Sequence, residues 1–240
     1  EAHDLISNDN RYYSGKPGTV GDRPGNFTVQ NADLLIVLGC RLNIRQISYN
    51  WKSFAPKAFK IMVDIDQAEL DKPTLKIDYK IKADLKKFVP LFLKKIKILN
   101  YVTTKEHNKY LKWCTEKVIE YPVVLPEYTN KKNKKINPYV FIDNLFNLLN
   151  KDDVVITGNG SACVITFQAA KIKQGQRLYT NSGSASMGYD LPASIGAAIA
   201  KKDRRIICLA GDGSLMMNLQ ELQTMQGYNL PIKIFILNNN

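Results

Sequence analysis

Histidine is almost missing from this chain, cysteine is sparse and unpatterned, and long apolar runs do not occur. Only two histidines stand among the 240 residues. His3 and His107 lie in polar surroundings without a recognisable motif, so neither is assigned a role. The four cysteines, Cys40, Cys114, Cys163 and Cys208, are scattered and form no C-x-x-C pair. That excludes a zinc ribbon and a disulfide framework, and it predicts a reducing, cytoplasmic compartment. No run reaches the roughly 18 apolar residues a membrane span needs, so no membrane contact is expected. Nor does a charged-then-apolar leader open the chain at Glu1, which predicts no secretion signal. Acidic residues are outnumbered, 22 against 34 basic ones, for a net charge of +12. The excess is mostly lysine and is spread out, from Lys57 through Lys80 to Lys97. Only "NKKNKK" at 130–135 is compact, and arginine interleaved with aromatics is absent. The charge therefore reads as a solvated surface, with no nucleic-acid partner expected.

What remains is ordinary globular composition, 45% hydrophobic and 23% charged. Five short aliphatic runs recur: "DLLIVL" (33–38), "FKIMVDI" (59–65), "DVVIT" (153–157), "RIICLA" (205–210) and "IKIFIL" (232–237). Their near-continuous apolar character is that of parallel strands covered on both faces. Helical spacing appears between them, with Leu85, Phe88, Val89, Phe92 and Ile96 on one side of 83–97. Val140, Phe141, Leu145, Leu148 and Leu149 do the same over 138–149. The expectation is an α/β protein of two doubly wound parallel-sheet domains. A Pro-bearing, aperiodic stretch at 121–137 reads as a linker between residues 1–120 and 138–240. The first domain looks partial, because residues 1–28 contain no convincing strand.

The chemistry concentrates at the end. "RIICLA" runs into Gly211-Asp212-Gly213-Ser214, one helix with Leu215, Leu219 and Leu222 follows, and "IKIFIL" returns the chain to Asn238-Asn239. One right-handed strand–helix–strand crossover fits that length. If the strands are neighbours, Asp212 and Asn239 end on the same rim, about 4.8 Å apart. A carboxylate and a neutral amide oxygen there suit magnesium, which takes oxygen ligands and commonly shares them with phosphates. Gly211 and Gly213 allow close approach, and the amides of Gly213 and Ser214 can face phosphate. The plain alternative is a strand-to-helix turn in which Asp212 only caps the helix.

"GDGSLMMNLQELQTM…LPIKIFILNN" resembles the thiamine-diphosphate enzymes, and acetohydroxyacid (acetolactate) synthase large subunits in particular. The resemblance implies thiamine diphosphate and Mg²⁺ as cofactors, with Asp212 and Asn239 as metal ligands. A third ligand would come from position 241, so the chain is expected to be a C-terminally truncated part of a longer enzyme. "NSGSASMGYDLPASIGAAIA" (181–200) resembles another motif of the family, in which Ser186 and Met187 would touch the cofactor and Met187 would wedge it into a bent form. Read without the family, Met187 is a core methionine. The small residues Ala193, Gly196, Ala197 and Ala200 read as close helix packing. Asn159, Gly160 and Ser161 follow a strand and open a helix, a second place for the diphosphate.

The first domain resembles the family's central domain through Gly15, Gly18, Thr19, Gly39, Arg41 and Asp64. Such a set can form a nucleotide cleft, with FAD as the implied ligand, or a purely structural domain. Two departures stand out: Asn43-Ile44 replaces the family's acidic pair, and "SACVITF" replaces a glutamine- and histidine-rich stretch. The implied activity is decarboxylation of a 2-oxo acid followed by carbon–carbon ligation, in a homodimer or homotetramer. Simple decarboxylation and a non-catalytic nucleotide-binding module are the alternatives. No catalytic residue is expected in this chain, since the family's activating glutamate lies in an N-terminal domain that nothing here resembles.

Overall fold

Among the described residues, seven short strands form two separate parallel sheets. The computed structural model describes residues 2–129 and 135–238. Asn239 and almost all of the basic run at 130–135 lie outside the described residues. Two compact units result: Ser14–Tyr121, and Ala2–Tyr13 together with the residues from Pro122 onward.

The first unit runs α1 (Arg23–Asn31), β1 (Leu34–Leu38), α2 (Ile44–Ile47), β2 (Phe59–Asp64), α3 (Gln67–Leu70), β3 (Tyr79–Lys82), α4 (Leu85–Ile98) and α5 (Lys105–Glu120). Its sheet has the sequential order β1-β2-β3, all parallel, with no reversal among the described residues. The core gathers Val37, Leu42, Ile47, Phe54, Met62 and Leu70. β3 escaped the sequence reading because "YKIK" is half lysine, as a strand at a sheet edge commonly is. α4 forms where the spacing predicts, but its apolar side is only half buried and Phe92 is exposed. Thr104 and His107 cap α5 reciprocally, so His107 is explained by local structure.

Residues 15–26 fold back on themselves. Asp22 caps α1, its Oδ1 accepting from Gly25 N (2.8 Å) and Lys16 N (3.0 Å). Lys16 is buried beside it, and burial lowers its amine to about 8. Below pH 8 the folded unit must hold a buried ammonium; unfolded, the same amine keeps its proton up to about 10.5. Between those values the native state binds fewer protons, so the opposing contribution is relieved as pH rises. Lys16→Met is expected to stabilise this unit by about 3 kcal/mol at pH 7. Denaturant titrations at several pH values should show the gap closing between pH 8 and 10.5.

The second unit runs α6 (Pro138–Leu148), β4 (Val154–Thr157), α7 (Gly160–Ala169), β5 (Arg177–Thr180), α8 (Asp190–Ala200), β6 (Ile206–Gly211), α9 (Asp212–Met216), α10 (Glu221–Gly227) and β7 (Ile232–Leu237). Sheet order is β5-β4-β6-β7, all parallel. From β4 the chain goes through α7 to β5 on one side, then through α8 to β6 on the other. That reversal makes the sheet doubly wound and puts its switch point between β4 and β6. β4 and most of β6 are buried throughout, with Ile156, Leu191, Ile206, Cys208 and Leu215 packed among them.

α6 buries Ile142, Leu145, Phe146 and Leu149, an i, i+3, i+4, i+7 face, while Leu148 is 78% exposed. The single helix expected after Gly213 is broken at 217–220 into α9 and α10. No atom lies within 4 Å of the place a Gly196 Cβ would take, and a cavity of about 450 Å³ borders Ala193, Gly196, Ala197 and Ala200. That small-residue stripe therefore divides: Gly196 and Ala200 are exposed, while Ala193 and Ala197 pack against the core of the unit. Residues 2–13 belong to this unit instead of the first: Asp4 Oδ2 accepts from Arg177 Nε (2.6 Å) and Leu178 N (3.0 Å), and Asn8 pairs with Ile172. His3 stacks on Phe167 with ring centroids 4.0 Å apart. The seam falls after Tyr121, and Tyr128, placed in the linker by the sequence, packs near Tyr139 of α6. None of the four cysteines forms a disulfide. No helix of the described residues is long and apolar enough to cross a membrane.

Candidate functional site

Register decides where the site forms. Gly211 is paired with Leu237, so Asp212 and Asn238, the next residues, leave adjacent parallel strands at the same level. Asp212 is the first residue of α9, and no side chain caps that helix. Its half-buried carboxylate makes no hydrogen bond or ion pair among the described residues. The capping role weighed for it is therefore not what it does. Gly213 lies against Met187, whose Cε would stand 3.1 Å from a Cβ added there. The methionine is 47% exposed beside the turn and not in a core.

The turn at 181–189 is stitched between the two strand ends. Asn159, the cap residue of α7, donates its Nδ2 to Ala185 O (2.9 Å). Gly188 N donates to the buried Ser214 Oγ (2.8 Å), and Gly188 O accepts from Asn218 Nδ2 (2.6 Å). Gly188 has a φ of +80°, and a Cβ there would meet Asn218 Nδ2 at 2.6 Å, so only glycine fits. Gly160 (φ +55°) and Ser161 are exposed at the start of α7, whose first amides have no side-chain cap. Ser186 is exposed beside Met187. Asn159–Ser161, Ser186–Met187 and Gly211–Ser214 thus converge at the carboxyl ends of β4 and β6, the switch point where such sheets bind ligands. The donors and the unpartnered carboxylate fit a diphosphate held with a small hard cation. Asn239 lies outside the described residues.

Two participants were missed. Asn218 looked like one more polar residue of a continuous helix. Asp190 is fully buried under Gly158. Its place just after the Met187–Gly188 motif was the available signal.

The nucleotide expectation for the first unit divides. Gly39, Arg41 and Asp64 line a cavity of about 560 Å³ at the carboxyl ends of the strands. Gly15, Gly18 and Thr19 do not; Gly15 packs on its own segment, and Gly18 and Thr19 pack on Arg45 of α2. A Gly15 Cβ would overlap Gly25 N and stand 2.5 Å from Asp22 Oδ1, and a Gly18 Cβ would lie 2.6 Å from Arg45 O. Thr19 donates twice to Arg45 O. The cavity itself carries Asp64, Asp66, Glu69 and Asp84, and its guanidinium is paired, Arg41 Nε lying 2.8 Å from Glu69 Oε1. Lys72, 2.6 Å from the same carboxylate, holds Glu69 below the usual range. Four carboxylates and a neutralised arginine do not fit the diphosphate of FAD, and the FAD expectation is not supported.

Comparison with known proteins agrees with the geometry. The model for "Thiamine pyrophosphate enzyme, C-terminal TPP binding domain" matches residues 158–240, and that for "Thiamine pyrophosphate enzyme, central domain" matches residues 1–92. The chain belongs to the thiamine pyrophosphate (thiamine diphosphate) enzymes. Among this family, it is 37% identical to the acetolactate synthase large subunit of Cyanidium caldarium, over 96% of this chain and 38% of that protein. It is 34% identical to the acetolactate synthase isozyme 1 large subunit of Escherichia coli K12, over 94% of this chain and 38% of the relative. With the probable acetolactate synthase large subunit of Methanococcus aeolicus the figures are 32%, 98% and 40%. The chain thus spans about two fifths of the length of these relatives.

Proposed function

We propose that this chain supplies the diphosphate and Mg²⁺ half of the active site of an acetolactate synthase-like carboligase acting on 2-oxo acids. The observation that carries the proposal is the Gly211–Leu237 pairing, which sets an unpartnered Asp212 carboxylate beside the end of the neighbouring strand. Asp212 and Asn239 would hold Mg²⁺, and the open first turn of α7 at Asn159–Ser161 would receive diphosphate oxygens. When bound, thiamine diphosphate supplies a carbon that adds to the 2-oxo acid and takes up the electron pair left by CO₂. Met187, half exposed against Gly213, would shape the cofactor's bend, and the Asn159 and Ser214 bonds keep that methionine's turn in place. The activating glutamate and the rest of the pocket would come from a segment outside this chain, in a homodimer or homotetramer. Cysteines without disulfides suit a reducing cytoplasm.

The test is product analysis on the intact protein carrying this chain, given pyruvate, Mg²⁺ and thiamine diphosphate. Acetolactate supports the carboligase; acetaldehyde alone would move the assignment to simple decarboxylation; no CO₂ would sink both. Met187→Ala should lower kcat about tenfold or more through lost positioning, with a smaller change in cofactor affinity. Steady-state kinetics together with a cofactor titration separates the two effects.

A further inference from the structure

Asp190 is a fully buried carboxylate beneath the cofactor turn. It opens α8, and its Oδ1 accepts from Leu191 N (2.9 Å), while its backbone carbonyl accepts from Ser194 Oγ (2.8 Å). Its Oδ2 is buried without any hydrogen-bond partner. A carboxylate oxygen in that condition is costly, and buried acceptors are normally satisfied. The orphan oxygen is not directed into an apolar core. It overlaps the place a Gly158 Cβ would occupy, and the Ser214 Oγ stands 3.3 Å from that same point. Ser214 has the complementary deficit: its oxygen accepts from Gly188 N, and its own proton has no acceptor among the described residues. A free acceptor and a free donor therefore flank one small space under the switch point, within the span of a single enclosed water.

Three loop tips meet around that space: Gly158–Gly160 after β4, Met187–Gly188 before α8, and Gly211–Ser214 after β6. We infer that Asp190 is a positioning residue of the cofactor site. Its free oxygen takes the Ser214 hydroxyl proton, directly or across one water, and so holds the three tips at the spacing the diphosphate requires. The inference rests on the diphosphate reading given above. Asp190→Asn keeps the volume and the Leu191 bond but presents a donor where the acceptor was. The Ser214 oxygen then becomes the acceptor for that amide, in competition with Gly188 N.

The experiment is a double-mutant cycle of Asp190→Asn and Ser214→Ala in the intact protein, read as the dissociation constant of thiamine diphosphate at saturating Mg²⁺. Each single variant should weaken binding about tenfold or more, as loss of an outer-layer partner does, and the double variant no more than the single ones. Wild-type affinity in Asp190→Asn, or penalties that multiply, would overturn the inference. A second readout needs no cofactor: exchange of the Gly188 amide in the apo protein should quicken about tenfold in Asp190→Asn, the factor for one ordinary hydrogen bond. If the wild type binds no thiamine diphosphate, the cofactor reading falls. The Gly188 exchange then decides the Asp190–Ser214 tie by itself, since unchanged exchange refutes it.

Discussion

Asp212→Ala abolishes magnesium-dependent binding of thiamine diphosphate, by more than about a hundredfold in dissociation constant, and leaves the fold intact. The two halves of that expectation have one cause. Among the described residues the Asp212 carboxylate has no hydrogen bond, no ion pair and no capping role. Removing it breaks nothing that holds the unit together, so the melting temperature should move by no more than about 2 °C. A hard dication, by contrast, loses the only charged ligand expected from this chain, because Asn239 offers a neutral oxygen. Losing a direct ligand exceeds the 10–100-fold typical of outer-layer partners. Calorimetric titration of cofactor with and without Mg²⁺ decides the matter. Retained binding would remove the metal site, whereas a collapsed melting curve would show that Asp212 has a structural role not visible in its contacts.

The second large effect lies in the first unit. Gly25→Ala is expected to cost about 3 kcal/mol, lowering that unit's melting temperature by roughly 10–20 °C. Its φ is ordinary; the reason is crowding. A Cβ on Gly25 would stand 2.6 Å from Pro17 N and closer still to the backbone N and C of Lys16. Main-chain atoms cannot turn aside as a side-chain end can, and the Asp22 bonds to both partners oppose separation. Gly196→Ala is the control, since nothing lies within 4 Å of its Cβ position and a mid-helix glycine costs stability. That change should raise stability by about 0.5–1 kcal/mol. A calorimetric scan resolving the two transitions would show the first unit falling and the second holding. Equal behaviour of the two alanines would refute the crowding argument.

How far the sequence could be read depends on where each signal was stored. Five strands were legible because β1, β2, β4, β6 and β7 each carry a run of aliphatic residues; the cover on both faces that such runs suggest fails at the edges, where Leu34, Ile36 and Leu38 of β1 and Ile236 of β7 are exposed. β3 and β5 were not, because the lysines of "YKIK" and the arginine of "RLYT" interrupt such a run; edge position alone does not decide it, since β1 and β7 are edges as well. The glycines at 15 and 18 looked like part of a ligand-binding cleft. Their absence of side chains is equally suited to close packing on backbone, and composition does not separate the two. Met187 and Asp212 could be singled out as candidates since each is embedded in a contiguous motif. Asp190 and Asn218 were not, although the same motifs contain or adjoin them.

By its own pattern, then, the sequence determined the class of elements, the crossover after Asp212, and the family to which the motifs belong, all of which are stored in short contiguous stretches. Only the tertiary structure decided that β6 lies between β4 and β7, that the sheet reverses between β4 and β6, and that Asp190 and Ser214 leave complementary groups beneath the reversal. Those facts depend on pairings between segments tens of residues apart. The free energy that selects such pairings comes from burying strands such as "VVIT" and "IICLAG" against each other, and apolar burial is nearly indifferent to local residue order. A motif read along the chain can name a carboxylate; which oxygen is left without a partner is settled only when the strands close around it.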